Sequence, residues 1–156
     1  MSKPRVIANI KEIVEETLYR LDMYSDDALT LIMRTGWAES GYRDLRQYKG
    51  PAIGFWQVEL ATAKDTMVNY VNYRPEIKKS LESIGLIWNN DKEIEFSLLS
   101  NISVQAAFCR LKYRRDSKQI PSWDNLEAQA KYWKRVYNTE LGKGTVKHFI
   151  DSNLYE

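Results

Sequence analysis

The chain has 156 residues, with 23 Lys and Arg against 21 Asp and Glu and a formal net charge of +2. This length is typical of one domain, and the near balance of charge does not favour a nucleic-acid partner. A single cysteine and a single histidine exclude an internal disulfide and a metal site built from several of these residues. We therefore expect one domain over residues 1–156, monomeric and without metal or cofactor.

The N-terminal segment lacks the run of about 7–15 apolar residues that is typical of a secretory signal. No stretch approaches the roughly 20 apolar residues of a membrane-spanning helix. We therefore predict a protein that is made in the cytoplasm without a signal peptide and is not inserted in a membrane.

The first part of the chain predicts two helices followed by a loop. Apolar residues recur at helical spacing over 6–24 and again over 29–37, and the second helix is expected to end near Glu39. Ser25 precedes the second helix and is a suitable N-cap. The glycine- and proline-rich stretch that follows predicts an irregular loop, with a small hairpin at most within 43–58.

Helical spacing returns in the second part, and a short helix is expected to begin at Pro75, because proline suits the first helical turn. Ser100 and Asn101 divide one long helical run into two candidate helices. The sequence thus predicts roughly seven helices and a mainly α fold. The divided run covers 94–111, and the other helical runs cover 60–71 and 126–137.

Glu39 is the residue whose position most suggests chemistry, because it ends an apolar helix and precedes a glycine-rich loop. Trp37 and the buried face of the helix would surround its carboxyl with apolar surface, and desolvation raises the pKa of a carboxyl. Such a group donates a proton near neutral pH. From helix position alone, the alternative is a carboxylate that faces water at the helix C-terminus.

The segments around Glu39 resemble the signature of lytic transglycosylases and goose-type lysozymes. Residues 38–42 read Ala-Glu-Ser-Gly-Tyr, and residues 50–58, which we call the loop motif, read Gly-Pro-Ala-Ile-Gly-Phe-Trp-Gln-Val. In that family a Glu-Ser pair ends a helix, and a Gly-Leu-Met-Gln-like run follows across a loop. A looser match to the family's Ala-Tyr-Asn-Ala-Gly-like run lies at 136–142, so the similarity covers about residues 28–150. Gln105 departs from the pattern, since the family usually has glycine there.

The resemblance implies a lysozyme-like fold and cleavage of the β-1,4 bond between N-acetylmuramic acid and N-acetylglucosamine in peptidoglycan glycan strands. Glu39 would be the catalytic acid. A lytic transglycosylase needs only this carboxyl, because a hydroxyl of the muramic acid itself closes onto the anomeric carbon. The family pattern also implies positioning roles for Ser40, Gln57, Tyr137 and Asn138. Trp56, inside the loop motif, is expected to stack on a sugar in the cleft.

Two alternative functions remain open at this point. A hydrolytic muramidase needs a water and usually a second carboxylate. Glu59 is the candidate, because goose-type lysozymes carry an aspartate at the corresponding place; otherwise Glu59 is a first-turn carboxylate that the next helix stabilises. The second alternative is a catalytically silent module that binds the cell wall.

The remaining expectations concern delivery and two other groups of residues. The missing signal peptide suggests a phage-type enzyme that is released through a membrane lesion or delivered with the virion. His148 is expected to be a surface or capping residue. The basic residues from Arg110 to Lys118 are expected to form a solvated helix face rather than a phosphate site.

Overall fold

Helices make up most of the computed structural model, which describes residues 3–154. A two-stranded antiparallel hairpin pairs Ala52 with Glu59 and Ile53 with Val58. The predicted mainly α fold with one small hairpin is confirmed. The elements of the described residues are α1 (Lys3–Arg20), α2 (Asp26–Glu39), β1 (Ala52–Ile53), β2 (Val58–Glu59), α3 (Leu60–Asn69), α4 (Pro75–Ser83), α5 (Asp91–Ser100), α6 (Ile102–Arg114), α7 (Leu126–Tyr132) and α8 (Val146–Ser152), with a 3-10 turn at Val71–Tyr73 and a π-helix at Trp133–Asn138.

Local capping signals account for several helix ends. The Ser25 hydroxyl accepts a hydrogen bond from the backbone N–H of Ala28 and begins α2, as predicted. Asn101 ends α5 and caps α6, because its side-chain oxygen accepts from the N–H of Val104. The long helical run is therefore two helices, divided at the Ser-Asn pair.

Three features differ from the sequence prediction. Helix α1 ends at Arg20 rather than continuing to Tyr24, because Asp22 adopts a left-handed backbone conformation that terminates the helix. The predicted helix over 126–137 changes to π geometry at Trp133. Helix α8 was not predicted, since a helix of seven residues carries little periodicity.

Helix α6 lies at the centre of the molecule and contributes to two hydrophobic clusters. Ala106, Cys109 and Tyr113 face the cluster that contains residues of α1, α2, α7 and α8. Ala107 and Phe108 face the cluster formed with the hairpin and helices α3 to α5. The helix therefore brings segments distant in sequence against the end of α2.

Within residues 3–154, no helix has the length and apolar character needed to cross a bilayer.

Candidate active site

Glu39 is the last residue of α2, and its side chain is partly buried. The helix ends because the backbone N–H of Ser40 bonds back to carbonyls of the last turn, after which Gly41 and Tyr42 both take positive φ. Positive φ is compatible with glycine and ends the helical path. The carboxyl therefore stands at the junction between α2 and the loop that leads to the hairpin.

The Glu39 carboxylate has a partner from a distant part of the chain. The indole Nε1 of Trp133, which is 1% exposed, donates a hydrogen bond of 3.0 Å to Glu39 Oε2. The pKa of Glu39 is raised from its ordinary 4.5 to about 7. Burial raises it, and the Trp133 hydrogen bond and the charges of Lys112 and His148 oppose this rise in part. Desolvation is the larger effect, so the carboxyl exchanges a proton near neutral pH.

Lys112 of α6 contacts Tyr137 and acts electrostatically on Glu39. Its ammonium donates a hydrogen bond to the backbone carbonyl of Tyr137 at 2.7 Å and lies 4.4 Å from the centre of the Tyr137 ring. Burial lowers the pKa of Lys112, and the carboxylates of Glu39 and Glu59 partly oppose this effect. Both carboxylates therefore act on the same ammonium group.

His148 lies beside the last turn of α2. Its Nε2 is 2.7 Å from the carbonyl oxygen of Ala38, next to Glu39 in sequence. Thr145 caps α8 by accepting a hydrogen bond from the His148 backbone N–H. The residue is exposed, as expected. Its ring nevertheless contacts the end of α2, because it lies on α8, a helix that was not predicted from the sequence.

Ser40 connects the end of α2 to the loop motif. Its hydroxyl donates to the carbonyl of Phe55 at 2.7 Å and accepts from the backbone N–H of Tyr42 at 3.1 Å. The side chain is buried, so it holds two backbone segments together. Ser40 thus positions the turn that follows Glu39.

The loop motif is shaped by Gly54, Gln57 and Gln105. Gly54 has φ +81, and a Cβ there would lie 2.8 Å from the side-chain carbon Cδ of Gln105. The Gln105 side-chain oxygen accepts from the N–H of Phe55 at 3.0 Å. Gln57, partly buried and with φ 53, donates its amide to the carbonyl of Gly54 at 2.8 Å. The residue that departs from the family pattern, Gln105, therefore supports the loop directly.

The prediction that Trp56 stacks on a sugar is wrong. Trp56 is fully buried, and its indole donates to the carbonyl of Ile32 at 2.8 Å. Its ring meets Tyr42 and Phe55 edge to face. Because its polar N–H is satisfied by α2 and its faces are covered, this tryptophan is part of the core.

Tyr137 and Asn138 belong to the π-helix that follows α7. The hydroxyl of Tyr137 donates to the carbonyl of Trp56, and its buried ring stacks on Tyr113. Asn138, partly buried, accepts a hydrogen bond from Lys134 through its side-chain oxygen at 2.8 Å. Tyr137 therefore supports the loop motif through the Trp56 carbonyl, and its ring is too deeply buried to contact a ligand.

Glu59 is exposed at the start of α3, where its side chain makes no capping hydrogen bond. Its carboxylate, like that of Glu39, raises the pKa of Lys112. Within residues 3–154, no group of three histidine, cysteine, aspartate or glutamate residues is arranged to hold a metal ion. Glu39 lines neither the surface groove between α1 and the end of α4 nor the groove at the end of α6 that is described below.

Three residues of the site were not found from the sequence, namely Trp133, Lys112 and His148. Trp133 lies within the predicted helix over 126–137, and nothing local in the sequence links these three side chains to Glu39. In comparisons with protein-family models, curated proteins and solved structures, no match to this chain was found. The family resemblance thus stays a prediction that rests on the motifs.

Proposed function

We propose that the protein cleaves the β-1,4 bond between N-acetylmuramic acid and N-acetylglucosamine in peptidoglycan, as a lytic transglycosylase with Glu39 as acid and base. The observation that carries this proposal is the partly buried Glu39 carboxyl, whose pKa is raised to about 7 and which Trp133 holds in place. The motifs around Glu39 supply the substrate class, by resemblance.

The proposed reaction uses one carboxyl twice. Protonated Glu39 donates its proton to the glycosidic oxygen as the bond to the anomeric carbon breaks, and positive charge develops on that carbon. The Glu39 carboxylate then takes the proton of the muramic acid hydroxyl, whose oxygen bonds to the anomeric carbon. The product is an anhydro sugar, Glu39 is protonated again, and no water is consumed. A pKa near 7 suits both proton transfers at neutral pH.

The surroundings of Glu39 favour a mechanism with one carboxyl. The two charged groups that shift its pKa, Lys112 and His148, are both basic. A second carboxylate near Glu39 would raise the pKa further by like-charge repulsion. Hydrolysis assisted by Glu59 is the second candidate, and the observation that favours it is the common action of Glu39 and Glu59 on Lys112.

Product analysis on purified peptidoglycan tests both candidates. Mass spectrometry of the released fragments is expected to show anhydro-muramyl ends, whereas reducing ends would indicate hydrolysis. Glu39→Gln is expected to lower turnover by about 10²–10⁴-fold, the usual contribution of a general acid. Glu82→Gln, an exposed residue on α4, is the matched control. Glu59→Gln retains activity under the transglycosylase proposal and loses it if this residue activates water.

Two results would contradict the proposal. Equal turnover by the wild type and Glu39→Gln would remove Glu39 from the reaction. If both proteins bind insoluble walls and neither releases fragments, the silent binding module is the correct description.

The substrate lies in the bacterial cell wall, so the proposed enzyme has to reach it. We propose phage-type release through a membrane lesion or delivery with the virion. Fusion to a signal sequence from another protein is then expected to make the wild type toxic to its expressing host, while the Glu39→Gln fusion is tolerated. Unaffected growth with an exported, folded wild-type fusion would contradict this proposal.

A further inference from the structure

A groove of about 450 Å³ lies between the start of α2, the end of α6 and the segment that follows α6. Glu39 does not line it. We call it the basic pocket. Its lining includes three basic residues, Arg110, Arg114 and Lys118, together with Tyr113, Ile120 and Tyr132 and two aspartates that are considered below.

Arg110 is the unusual member of the basic pocket. It was expected on a solvated helix face, but only 7% of it is exposed. Among the described residues its one hydrogen bond is from Nε to the carbonyl of Met23, at 3.4 Å, and no carboxylate pairs with it. A guanidinium remains charged in a protein, and a buried charge without a counter-charge is costly.

The other cations of the basic pocket add to this positive charge. Arg114 and Lys118 line the same groove, and neither side chain forms an ion pair within residues 3–154. Burial lowers the pKa of Arg110, and the charge of Arg114 lowers it further. The groove therefore combines one buried and two outer positive charges.

Two carboxylates, Asp27 and Asp116, also line the groove, and each accepts hydrogen bonds from groups other than Arg110. Both oxygens of Asp116 accept hydrogen bonds from Arg135, at 3.0 and 3.1 Å. One oxygen of Asp27 accepts from the backbone N–H of Trp123 at 2.8 Å. The Arg135 ion pair offsets the charge of Asp116, whereas a neutral N–H leaves the charge of Asp27 in place. Three cations of the groove thus face one carboxylate without an ion pair among the described residues, and the groove keeps an excess of positive charge for a ligand.

We propose that the basic pocket binds the oxyanion group of a small ligand, a phosphate or a carboxylate, with Arg110 at its buried wall. A guanidinium presents several N–H donors in a planar fork that matches the oxygens of such groups. The volume is that of a small-molecule site, and Tyr113, Ile120 and Tyr132 also contribute to its lining. This site is separate from the proposed peptidoglycan site and does not depend on it.

Calorimetric titration at neutral pH and low salt tests the proposal, with inorganic phosphate in one arm and acetate in the other. Saturable binding in either arm is expected, and the arm that binds identifies the anion. The double variant Arg114→Gln/Lys118→Gln is expected to bind at least about tenfold more weakly, since each lost charge-assisted hydrogen bond has an effect of that order. Lys78→Gln/Lys79→Gln, two exposed residues of α4, is the control with the same charge change.

Arg110→Met gives a second measurement that tests the buried wall. Saturating anion is expected to raise the thermal unfolding midpoint of the wild type and of the Lys78/Lys79 control, and to leave that of Arg110→Met unchanged. The proposal is overturned if neither anion binds the wild type. It is also overturned if the two double variants bind equally, or if the anion stabilises Arg110→Met as much as the wild type.

Discussion

Trp133 donates a hydrogen bond of 3.0 Å to the carboxyl of Glu39, across 94 positions of sequence. The contact joins the C-terminus of α2 to the π-helix that follows α7. It orients the carboxyl and stabilises its charged form, while burial acts in the opposite direction and raises the pKa to about 7. The balance between these two effects sets the protonation state of the proposed acid.

Removing the Glu39 charge is expected to change how stability depends on pH. The folded-state pKa of about 7 lies above the ordinary 4.5, so the folded state binds the proton more tightly. The tighter proton binding stabilises the folded state fully below pH 4.5. This contribution to the unfolding free energy, roughly 3 kcal/mol for such a shift, is lost as the pH rises through 7. Glu39→Gln lacks this loss, so we expect it to be more stable than the wild type at pH 8 and similar at pH 4.

Urea unfolding at the two pH values measures this difference, with Glu82→Gln as the exposed control that is expected to follow the wild type. A parallel pH dependence for the wild type and Glu39→Gln would show that the Glu39 carboxyl is not desolvated.

Trp133→Phe removes the hydrogen bond to Glu39 and keeps an aromatic ring in the core. Because the indole lowers the pKa of Glu39, the pKa of the variant is expected to rise above that of the wild type. The variant is also expected to lose about 1–3 kcal/mol of unfolding free energy through the lost hydrogen bond. Carbon-detected NMR titration of the glutamate carboxyls measures the pKa, and Trp123→Phe, at an exposed tryptophan, is the control. An unchanged Glu39 pKa in Trp133→Phe would mean that the hydrogen bond has no effect on the charge.

Gly54→Ala tests the close approach of the loop motif to α6. An alanine at φ +81 is strained, and its Cβ would lie 2.8 Å from the side chain of Gln105, which is buried. We expect a loss of about 1–3 kcal/mol in unfolding free energy. Gly50→Ala is the comparison, because its new Cβ meets only the exposed, movable side chain of Gln47. Equal stability of the two variants in thermal unfolding would contradict the tight fit at Gly54.

Trp56→Phe separates a core role from a sugar-binding role. The substitution leaves the indole's space partly empty and removes its hydrogen bond to Ile32, so we expect a loss of about 1–3 kcal/mol. Binding of saccharide fragments by the folded variant is expected to equal that of the wild type. Chemical unfolding and fragment titration measure the two effects, and unchanged stability with lost binding would restore the stacking role.

The parts of the fold that were predicted depend on signals within a few residues. Ser25 begins α2 and Asn101 separates α5 from α6 because each side chain caps the helix that follows it. The position of Glu39 at a helix end follows from the loss of apolar periodicity and from Gly41, two residues later. Helix α8 carried too few residues for its pattern to be read.

The burial of Trp56 shows where such local signals stop. Its neighbours in sequence form a loop motif, and the motif suggests an accessible ring. Only the packing of that loop against α2 decides that the ring is covered and that its N–H reaches Ile32.

The order of residues along this chain determined most of the helices, the small hairpin and the candidate proton donor at position 39, because periodicity and capping act over one or two helical turns. The chemistry around that carboxyl was decided by the tertiary structure alone. Trp133, Lys112 and His148 approach it from other helices, and desolvation depends on everything that surrounds a group in space. The same reason explains Arg110, whose burial against Met23 and missing counter-charge are invisible until the helices are packed.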